Sequence, residues 1–234
     1  MTERTSREKK LDIACLILFP LGFAIYTALT LMGIYGKDHE MIYVVVTEII
    51  LLGISVVLPL LRVSNKLVTP YWFIAIVEGL IYMHGSALYW GTYIWIPYWD
   101  IIAHISASVV VTLVAFIGLM TIKTYTTRIQ LGNASLLFML FIIGYGFGNA
   151  WEMLEWSVDS AFSYAYMAYS IEDSLRDIVN DFIGAGTMTL LAALILRNRT
   201  PREIIMGFGL DKFMTNMGKR WDRKCADDDI GRQD

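Results

Sequence analysis

The stretch that decides the fold runs from Asn149 to Gly186 and reads NAWEMLEWSVDSAFSYAYMAYSIEDSLRDIVNDFIGAG. It places two pairs of carboxylates, Glu152 with Glu155 and Asp177 with Asp181, directly against apolar sequence. A charged side chain at the centre of a membrane-spanning helix costs about 2.5 to 3.5 kcal/mol on insertion scales, so such residues usually pair, face a cavity or bind an ion. The fold must therefore gather these acids away from lipid.

The composition of the whole chain is that of a membrane protein. Of the 234 residues, 56% are hydrophobic and 18% are charged, whereas a soluble domain carries about 25% charged residues. The formal net charge of -3 and the lack of a basic run with interleaved aromatic residues argue against nucleic acid as a partner. The two cysteines, Cys15 and Cys225, show no metal-binding or redox spacing. We therefore expect membrane lipid to be the main partner.

Six apolar runs are long enough to cross the roughly 30 Å hydrocarbon layer of a bilayer, which takes about 20 residues of helix. They are Leu11–Gly33, Met41–Leu61, Tyr71–Trp90, Trp99–Ile122, Ala134–Trp156 and Asp177–Leu196. The sequence thus predicts an all-α, polytopic bundle of six transmembrane helices in residues 11–196. Residues 1–10 are a basic cytoplasmic N-terminus, and residues 197–234 are a cytoplasmic tail with an interfacial helix and a disordered acidic end.

The basic residues predict the orientation of this bundle, because cytoplasmic loops are enriched in Lys and Arg. Most of them lie in the N-terminus and after the second, fourth and sixth runs, whereas the alternate loops hold only Lys37 and Arg176. We therefore predict that both termini are cytoplasmic and that the protein is a multi-pass protein of the cell (inner, cytoplasmic) membrane.

Three runs each carry a pair of ionisable residues three or four positions apart, a spacing that puts both side chains on one helix face. The pairs are Asp100 with His104, Glu152 with Glu155, and Asp177 with Asp181. Because successive helices run in opposite directions, all three pairs fall at the outer end of the bundle. Facing helices build carboxylate and histidine metal sites in this way. We therefore predict a divalent metal ion as cofactor, with Zn, Mn, Fe and Mg as candidates.

Four residues are the predicted metal ligands, namely Asp100, His104, Asp177 and Asp181. The predicted catalytic residue is Glu152 or Glu155, acting as a general base toward a metal-bound water. Further residues are candidates for the same site, and these are Glu48, Glu78, His84, Asp173 and Arg176.

Simpler explanations apply to several of these residues. Asp100 and Asp177 open their runs, and the positive end of a helix stabilises a carboxylate there. Glu78 and His84 are six positions apart and do not share a helix face, so a neutral Glu78 bonded to a neighbouring helix is an equal alternative. Arg176 either steers a phosphate or pairs with a nearby aspartate.

Small residues lie in the same runs as the acids. Gly144, Gly146 and Gly148 precede the glutamate pair, and Gly184 with Ala185 follows the second aspartate pair. Small residues at this spacing let transmembrane helices approach closely. We therefore expect the fifth and sixth runs to pack tightly against their neighbours.

Three motifs in the last three runs carry a family resemblance: Asp100-x-x-x-His104, Glu152-x-x-Glu155-Trp156 and Asp177-x-x-x-Asp181-x-x-Gly184-Ala185. In order and spacing they resemble the YjdF-like family of prokaryotic inner-membrane proteins. More distantly, they are similar to VanZ-like membrane proteins, whose pattern has Gln where this chain has Glu155 and Asn where it has Asp181. The two additional acids favour a cation. Neither resemblance implies a particular reaction, so the function must be argued from the site itself.

These observations leave several classes of function open. The first is a metal-dependent membrane hydrolase or transferase that acts on a lipid, a lipid-linked or a small-molecule substrate entering from the outer leaflet. The alternative is a proton- or cation-coupled transporter, and a third is a non-catalytic protein with a structural acid cluster. The one-sided distribution of the acids and the lack of an internal repeat favour a pocket open to one face over a pathway through the membrane.

Overall fold

Helices account for all the regular structure in the residues that the computed structural model describes, which are 5–31, 40–64, 69–90, 92, 96, 98–125, 131–162, 170–211 and 213–214. They are α1 (Ser6–Leu31), α2 (Glu40–Val63), α3 (Tyr71–Trp90), α4 (Trp99–Tyr125), α5 (Asn133–Phe162), α6 (Ile171–Asn198) and α7 (Pro201–Gly207). No strand occurs among these described residues. The predicted all-α class is therefore confirmed.

Three helices are long and apolar enough to cross a membrane within the described part of the chain: Trp99–Tyr125, Asn133–Ala161 and Ile171–Asn198. Helix α2 adds a shorter apolar segment, Ile49–Val63. Helices α1, α2 and α3 have 26, 24 and 20 residues, so each reaches about 30 Å or more at a rise of about 1.5 Å per residue. The total of six spans and the cytoplasmic placement of both termini stay predictions.

Helix α6 begins before the apolar run that predicted it. The Ser170 side chain caps the helix by accepting a hydrogen bond from the Asp173 backbone N–H at 3.2 Å. Glu172 and Asp173 then occupy the first turn, where the positive end of the helix favours acids. This polar start lengthens the helix by six residues, and it places Asp177 and Asp181 in the second and third turns rather than at the helix end.

Helices α4, α5 and α6 pack against one another, and one end of this unit is filled by apolar side chains. We call these residues the apolar layers, and they are Phe116, Leu119, Met120, Leu136, Leu140, Met188, Ala192, Ile204 and Ile205. They recur three or four positions apart along each long helix, which keeps them on one face. In lipid, close packing of this kind is a main source of helix association.

Two glycines let the neighbours of α5 approach its backbone. A Cβ atom added at Gly144 would overlap the Thr112 hydroxyl of α4, and one added at Gly148 would overlap the Asp181 carboxylate of α6. Gly146 faces away, because an added Cβ would meet nothing within 4 Å. The predicted tight packing of α5 is confirmed at Gly144 and Gly148 and is wrong for Gly146.

Gly184 plays the same part on α6. A Cβ atom there would lie 2.6 Å from the Ile105 carbonyl oxygen and 2.7 Å from the Ser108 Cβ, both in α4. Because one of these atoms belongs to the backbone, it cannot move aside without displacing the helix. The predicted close approach at Gly184 is confirmed.

The chain after α6 folds back onto the bundle through α7. A capping box starts this helix: Glu203 accepts from the Thr200 N–H at 2.8 Å, and Thr200 accepts from the Glu203 N–H at 3.3 Å. Beyond the helix, the Phe208 ring lies 5.4 Å from that of Trp72 and 5.5 Å from that of Phe73. Contact of this segment with the membrane surface remains a prediction, and the acidic end falls outside the described residues.

A buried ion pair joins α1, α2 and α3 at the end of the bundle away from Asp100. The Arg62 Nε lies 2.6 Å from the Asp12 Oδ1, and both side chains are buried. The Tyr71 hydroxyl donates to the same oxygen at 2.6 Å, and Arg62 also donates to the Thr69 carbonyl. Sequence reasoning counted Arg62 as a loop cation and did not single out Asp12, because neither the partner nor the burial shows in a single helix pattern.

Candidate functional site

His104, in the second turn of α4, has carboxylates on both sides of its ring. Its Nε2 lies 3.6 Å from the Asp100 Oδ1 and 3.9 Å from the Asp177 Oδ1. Its Nδ1 lies 3.5 Å from the Asp181 Oδ1 and 3.8 Å from the Glu152 Oε1. We call these five residues the His104 cluster. It brings together side chains from α4, α5 and α6.

The cluster divides into two sets of three ligands that share the imidazole. The Nε2 set consists of Asp100, His104 and Asp177, and the Nδ1 set consists of His104, Glu152 and Asp181. In each set, the ligand atoms all lie within 4.8 Å of one another. Both sets therefore have the spacing that one small cation requires.

The two sets differ in their contact with the surroundings. The Asp100 side chain is 35% exposed, whereas those of Glu152 and Asp181 are 4% and 3% exposed. Among the described residues, both oxygens of Glu152 and the Oδ2 of Asp181 lack a hydrogen bond of ordinary geometry, although the Ser174 hydroxyl lies close enough to Glu152 to interact with it. An ionised carboxylate buried in this way is costly unless a cation or a proton neutralises it. The Nδ1 set is therefore the part of the site where neutralisation by a cation or a proton matters most.

Hydrogen bonds from neighbouring side chains hold part of the cluster in place. The Ser108 hydroxyl donates to the Asp181 Oδ1 at 2.6 Å, and the Asn180 side-chain amide reaches the Asp177 Oδ1 at 3.5 Å. Ser108 lies one turn beyond His104 on α4, so the i,i+4 spacing that selected the acids could also have selected this residue. Sequence reasoning missed it because serine is common in helices that cross membranes.

Glu155 does not join either set. Its Oε1 accepts a hydrogen bond from the Trp151 indole N–H at 2.8 Å, on the same helix. It still interacts electrostatically with Glu152 and His104, which places it at the rim of the cluster. The three-residue spacing of the glutamates predicted one shared face, but the structure turns only Glu152 toward the imidazole.

His84 borders the cluster from α3. It interacts electrostatically with His104, and its ring centroid lies 6.4 Å from that of Trp151 in an edge-to-face arrangement. Glu78, in contrast, is buried in the middle of α3, and no charged group of the cluster acts on it. The structure therefore separates these two candidates.

The remaining candidates are the exposed Arg176, the partly buried Asp173, and Glu48. Arg176 is exposed and forms an ion pair with Asp173, in which the Arg176 Nη1 lies 3.7 Å from the Asp173 Oδ1. This is the simpler of the two fates expected for the arginine. The side chain of Glu48 lies outside the described residues. Asp173 also interacts electrostatically with Asp177, so it lies near the border of the His104 cluster.

Comparison with known proteins identifies the family of the chain. A family model described as "Predicted membrane protein (DUF2238)" matches residues 17–198, from α1 to the end of α6. This match is consistent with the YjdF-like resemblance and gives no support to the VanZ-like one. Neither the curated proteins nor the solved structures include a match. The chain belongs to the DUF2238 family of predicted membrane proteins.

Proposed function

We propose that the His104 cluster is the divalent-cation site of a multi-pass membrane hydrolase or transferase that acts on a lipid or lipid-linked substrate. One observation carries this proposal: beside the His104 imidazole, Glu152 and Asp181 present three buried oxygens that lack a hydrogen bond of ordinary geometry to any described residue. Carboxylates and a histidine suit Zn, Mn, Fe or Mg, and no thiolate is needed.

The cation binds at the Nδ1 set in this proposal. An imidazole that coordinates a metal through one nitrogen commonly donates a hydrogen bond from its other N–H to a carboxylate, which fixes the ring. Asp177 and Asp100 face that other nitrogen, Nε2. They therefore orient His104, while Glu152 and Asp181 complete the ligands. This assignment differs from the sequence-based prediction in two ways. Glu152 becomes a metal ligand instead of a candidate base, and Asp100 and Asp177 support His104 instead of binding the metal.

Glu155 is the proposed general base. Three protein ligands leave a coordination position for water, and a zinc-type cation brings the pKa of such a water to about 7. Glu155 would accept a proton from this water as the water oxygen bonds to the carbonyl carbon or phosphorus of the substrate, and it would return the proton to the alcohol oxygen that leaves as the ester bond breaks. Trp151 orients the Glu155 carboxylate through the hydrogen bond at 2.8 Å, and Asp100 lies on the partly exposed side of the cluster.

Access from the bilayer supports a lipid substrate. The α5 turn that carries Glu152 also exposes large apolar side chains, with Met153 at 72% and Leu154 at 49%. A substrate with acyl chains would keep them beside this surface while its polar part reaches the cluster. The proposal also requires that the six helices α1–α6 span the bilayer with both termini cytoplasmic, which puts the cluster in the outer half.

The first test is metal content of the purified full chain, measured by elemental mass spectrometry without chelators. We expect about one equivalent of a divalent transition metal per chain, as a three-ligand protein site binds. It should be lost in His104→Ala and in Asp181→Asn. Glu172→Gln is the matched control, because it removes one acid from the exposed first turn of the same helix as Asp181.

Activity is tested next on a panel of phospholipids, lipid phosphates and lipid esters. Metal-loaded protein should release product from at least one class, and Glu155→Gln should abolish turnover while it keeps the metal. A chain that binds metal but turns over no member of the panel would argue for a non-catalytic site. A chain that neither purifies with metal nor rebinds Zn or Mn would remove the enzyme proposal.

Proton- or cation-coupled transport is the second candidate, and one observation favours it. Buried ionisable groups are not confined to the His104 cluster. Asp12 and Arg62 form a buried pair at the other end of the bundle, and Glu78 is buried at a depth between that pair and the cluster. A pathway through the membrane needs polar groups at both ends. Cation-dependent proton movement in proteoliposomes that contain the wild-type chain, and not Asp181→Asn, would support transport.

A further inference from the structure

A row of polar side chains lies along the interface of α1 and α3, outside the His104 cluster, and its lower end is the one nearer Tyr71, at the start of α3. At its lower end, the Tyr71 hydroxyl donates to the Asp12 carboxylate at 2.6 Å. At its upper end, the Tyr82 hydroxyl donates to the Phe19 carbonyl of α1. Glu78 falls between the two tyrosines, seven positions after the first and four before the second. These spacings put all three side chains on one face of α3.

Glu78, at the middle of this face of α3, is a buried acid. Its residue is 1% exposed, and neither carboxylate oxygen has a hydrogen-bond partner among the described residues. It lies about 10 Å along the helix axis from the start of α3 at about 1.5 Å per residue. Across the interface, it interacts with the Cys15 thiol of α1.

Among the described side chains, the helices that pack against α3 supply no cation to Glu78. Helix α1 contributes Asp12 and Cys15, an acid and a thiol, and the Arg62 guanidinium of α2 is held by Asp12. Helix α4 contributes His104, which interacts with His84 on α3. None of these charged groups acts on the carboxyl group of Glu78. A charged carboxylate in this position would bear the full cost of burial in lipid.

We propose that Glu78 is an intramembrane proton-binding site, separate from the His104 cluster and independent of the cation proposed there. The proton binds to one carboxylate oxygen and converts the side chain to a neutral carboxylic acid, so no other bond forms or breaks. The site gives the protein a second ionic ligand, the proton, at mid-depth in the interface of α1 and α3.

Dicyclohexylcarbodiimide, an apolar reagent, tests this site in the full chain reconstituted in liposomes. A protonated carboxyl group gives its proton to one carbodiimide nitrogen while its oxygen bonds to the central carbon. The acyl group of the resulting O-acylisourea then migrates from that oxygen to the other nitrogen, which leaves a stable N-acylurea. Peptide mass spectrometry should find the label on Glu78, with less label as the pH of the reaction rises. Glu8 and Glu203, which lie at the exposed helix starts, should react only with a water-soluble carbodiimide.

Infrared spectroscopy covers the case in which the reagent cannot enter the interface. The carbonyl band of protonated carboxylic acids should be weaker in Glu78→Gln than in the wild type by the contribution of one group, whether or not the label forms. The proposal is overturned if Glu78 stays unlabelled and the two proteins have the same carbonyl band. The proposal is also overturned if the labelling of Glu78 does not change with pH but falls when Na⁺ is added, because the ligand would then be a metal cation. Metal content at the His104 cluster should be unchanged in Glu78→Gln, so the two proposals can fail separately.

Discussion

The two ends of the α4–α5–α6 unit have the same helical spacing of inward-facing residues, but those residues are apolar at one end and ionisable at the other. In the apolar layers, Phe116, Leu140 and Met188 fill the space between the helices with side chains that need no partner. At the other end, the same faces carry His104, Glu152 and Asp177. Shape alone stabilises the first end, whereas the second end has more buried acid than the one imidazole can balance. A proton or a bound cation would balance this excess of acid, and the cation proposed above is one such ligand.

The two ends meet at a zone of small and hydroxyl side chains. Ser108 donates to Asp181, and Thr112 and Asp181 lie against the α5 backbone at Gly144 and Gly148. Close helix contact at this level sets the position of the carboxylate above it. The packing of the lower layers and the geometry of the cluster are therefore coupled through the glycines.

Removing a large side chain from the apolar layers should have the largest effect on stability. Phe116→Ala leaves a cavity, and such a change costs about 3 to 5 kcal/mol in soluble cores. We expect about 3 kcal/mol here, because lipid removes most of the transfer term. The free energy of unfolding in mixed detergent micelles measures it. Leu190→Ala, at a position 70% exposed, is the control and should change little; equal losses at both positions would mean that the layers are not the core.

Adding one methyl group where the two ends meet should disturb both of them. Gly148→Ala places a Cβ in the space of the Asp181 carboxylate, and overpacking of this kind costs about 1 to 3 kcal/mol. Displacing Asp181 should also lower metal content. Gly146→Ala, on the same helix but with open space around it, should leave both quantities as in the wild type.

The result for Gly144→Ala sharpens this comparison. Its added Cβ meets Thr112 rather than an acid, so it should reduce stability and leave the metal in place. If Gly148→Ala binds metal as tightly as the wild type, Asp181 is not a ligand.

Substitution of a supporting acid should have a smaller effect than loss of a ligand. Asp100→Asn removes the charge that faces the Nε2 of His104 at 3.6 Å and leaves the proposed ligands in place. Residues that orient a metal-bound histidine change affinity by about 10- to 100-fold. Competition with a chelator of known affinity measures this change. Complete loss of the metal would instead identify Asp100 as a ligand.

The smallest effect is expected far from either end, at the cap of α7. The hydrogen bonds from Thr200 hold the pKa of Glu203 below its ordinary value of 4.5. Because the folded protein lowers this pKa, the stabilisation is present above pH 4.5 and is lost as the pH falls through the lower, folded-state value. Glu203→Gln keeps the capping geometry without the titration. The midpoint of thermal unfolding should therefore fall less steeply with acid in Glu203→Gln than in the wild type, and parallel curves would contradict this.

The sequence was sufficient to predict that acids of three helices meet, but not which atoms face each other. The i,i+4 spacings of Asp100 with His104 and Asp177 with Asp181 put each pair on one face, and alternating helix directions brought the faces to one end. The rotation of α5 that turns Glu152 inward and leaves Glu155 with Trp151 depends on packing at Gly148. No pattern within one helix contains that information, and the pairing of Asp12 with Arg62 was hidden for the same reason.

X-ray absorption at the edge of the bound metal measures the central claim most directly. We predict one imidazole nitrogen and carboxylate oxygens around the ion, at about 2.0 to 2.2 Å if the metal is zinc. No sulfur should be present, and the imidazole signal should be absent from any metal that His104→Ala retains. A metal shell without an imidazole, or a protein that binds no divalent metal when Zn, Mn, Fe or Mg is offered, would contradict a cation site at His104.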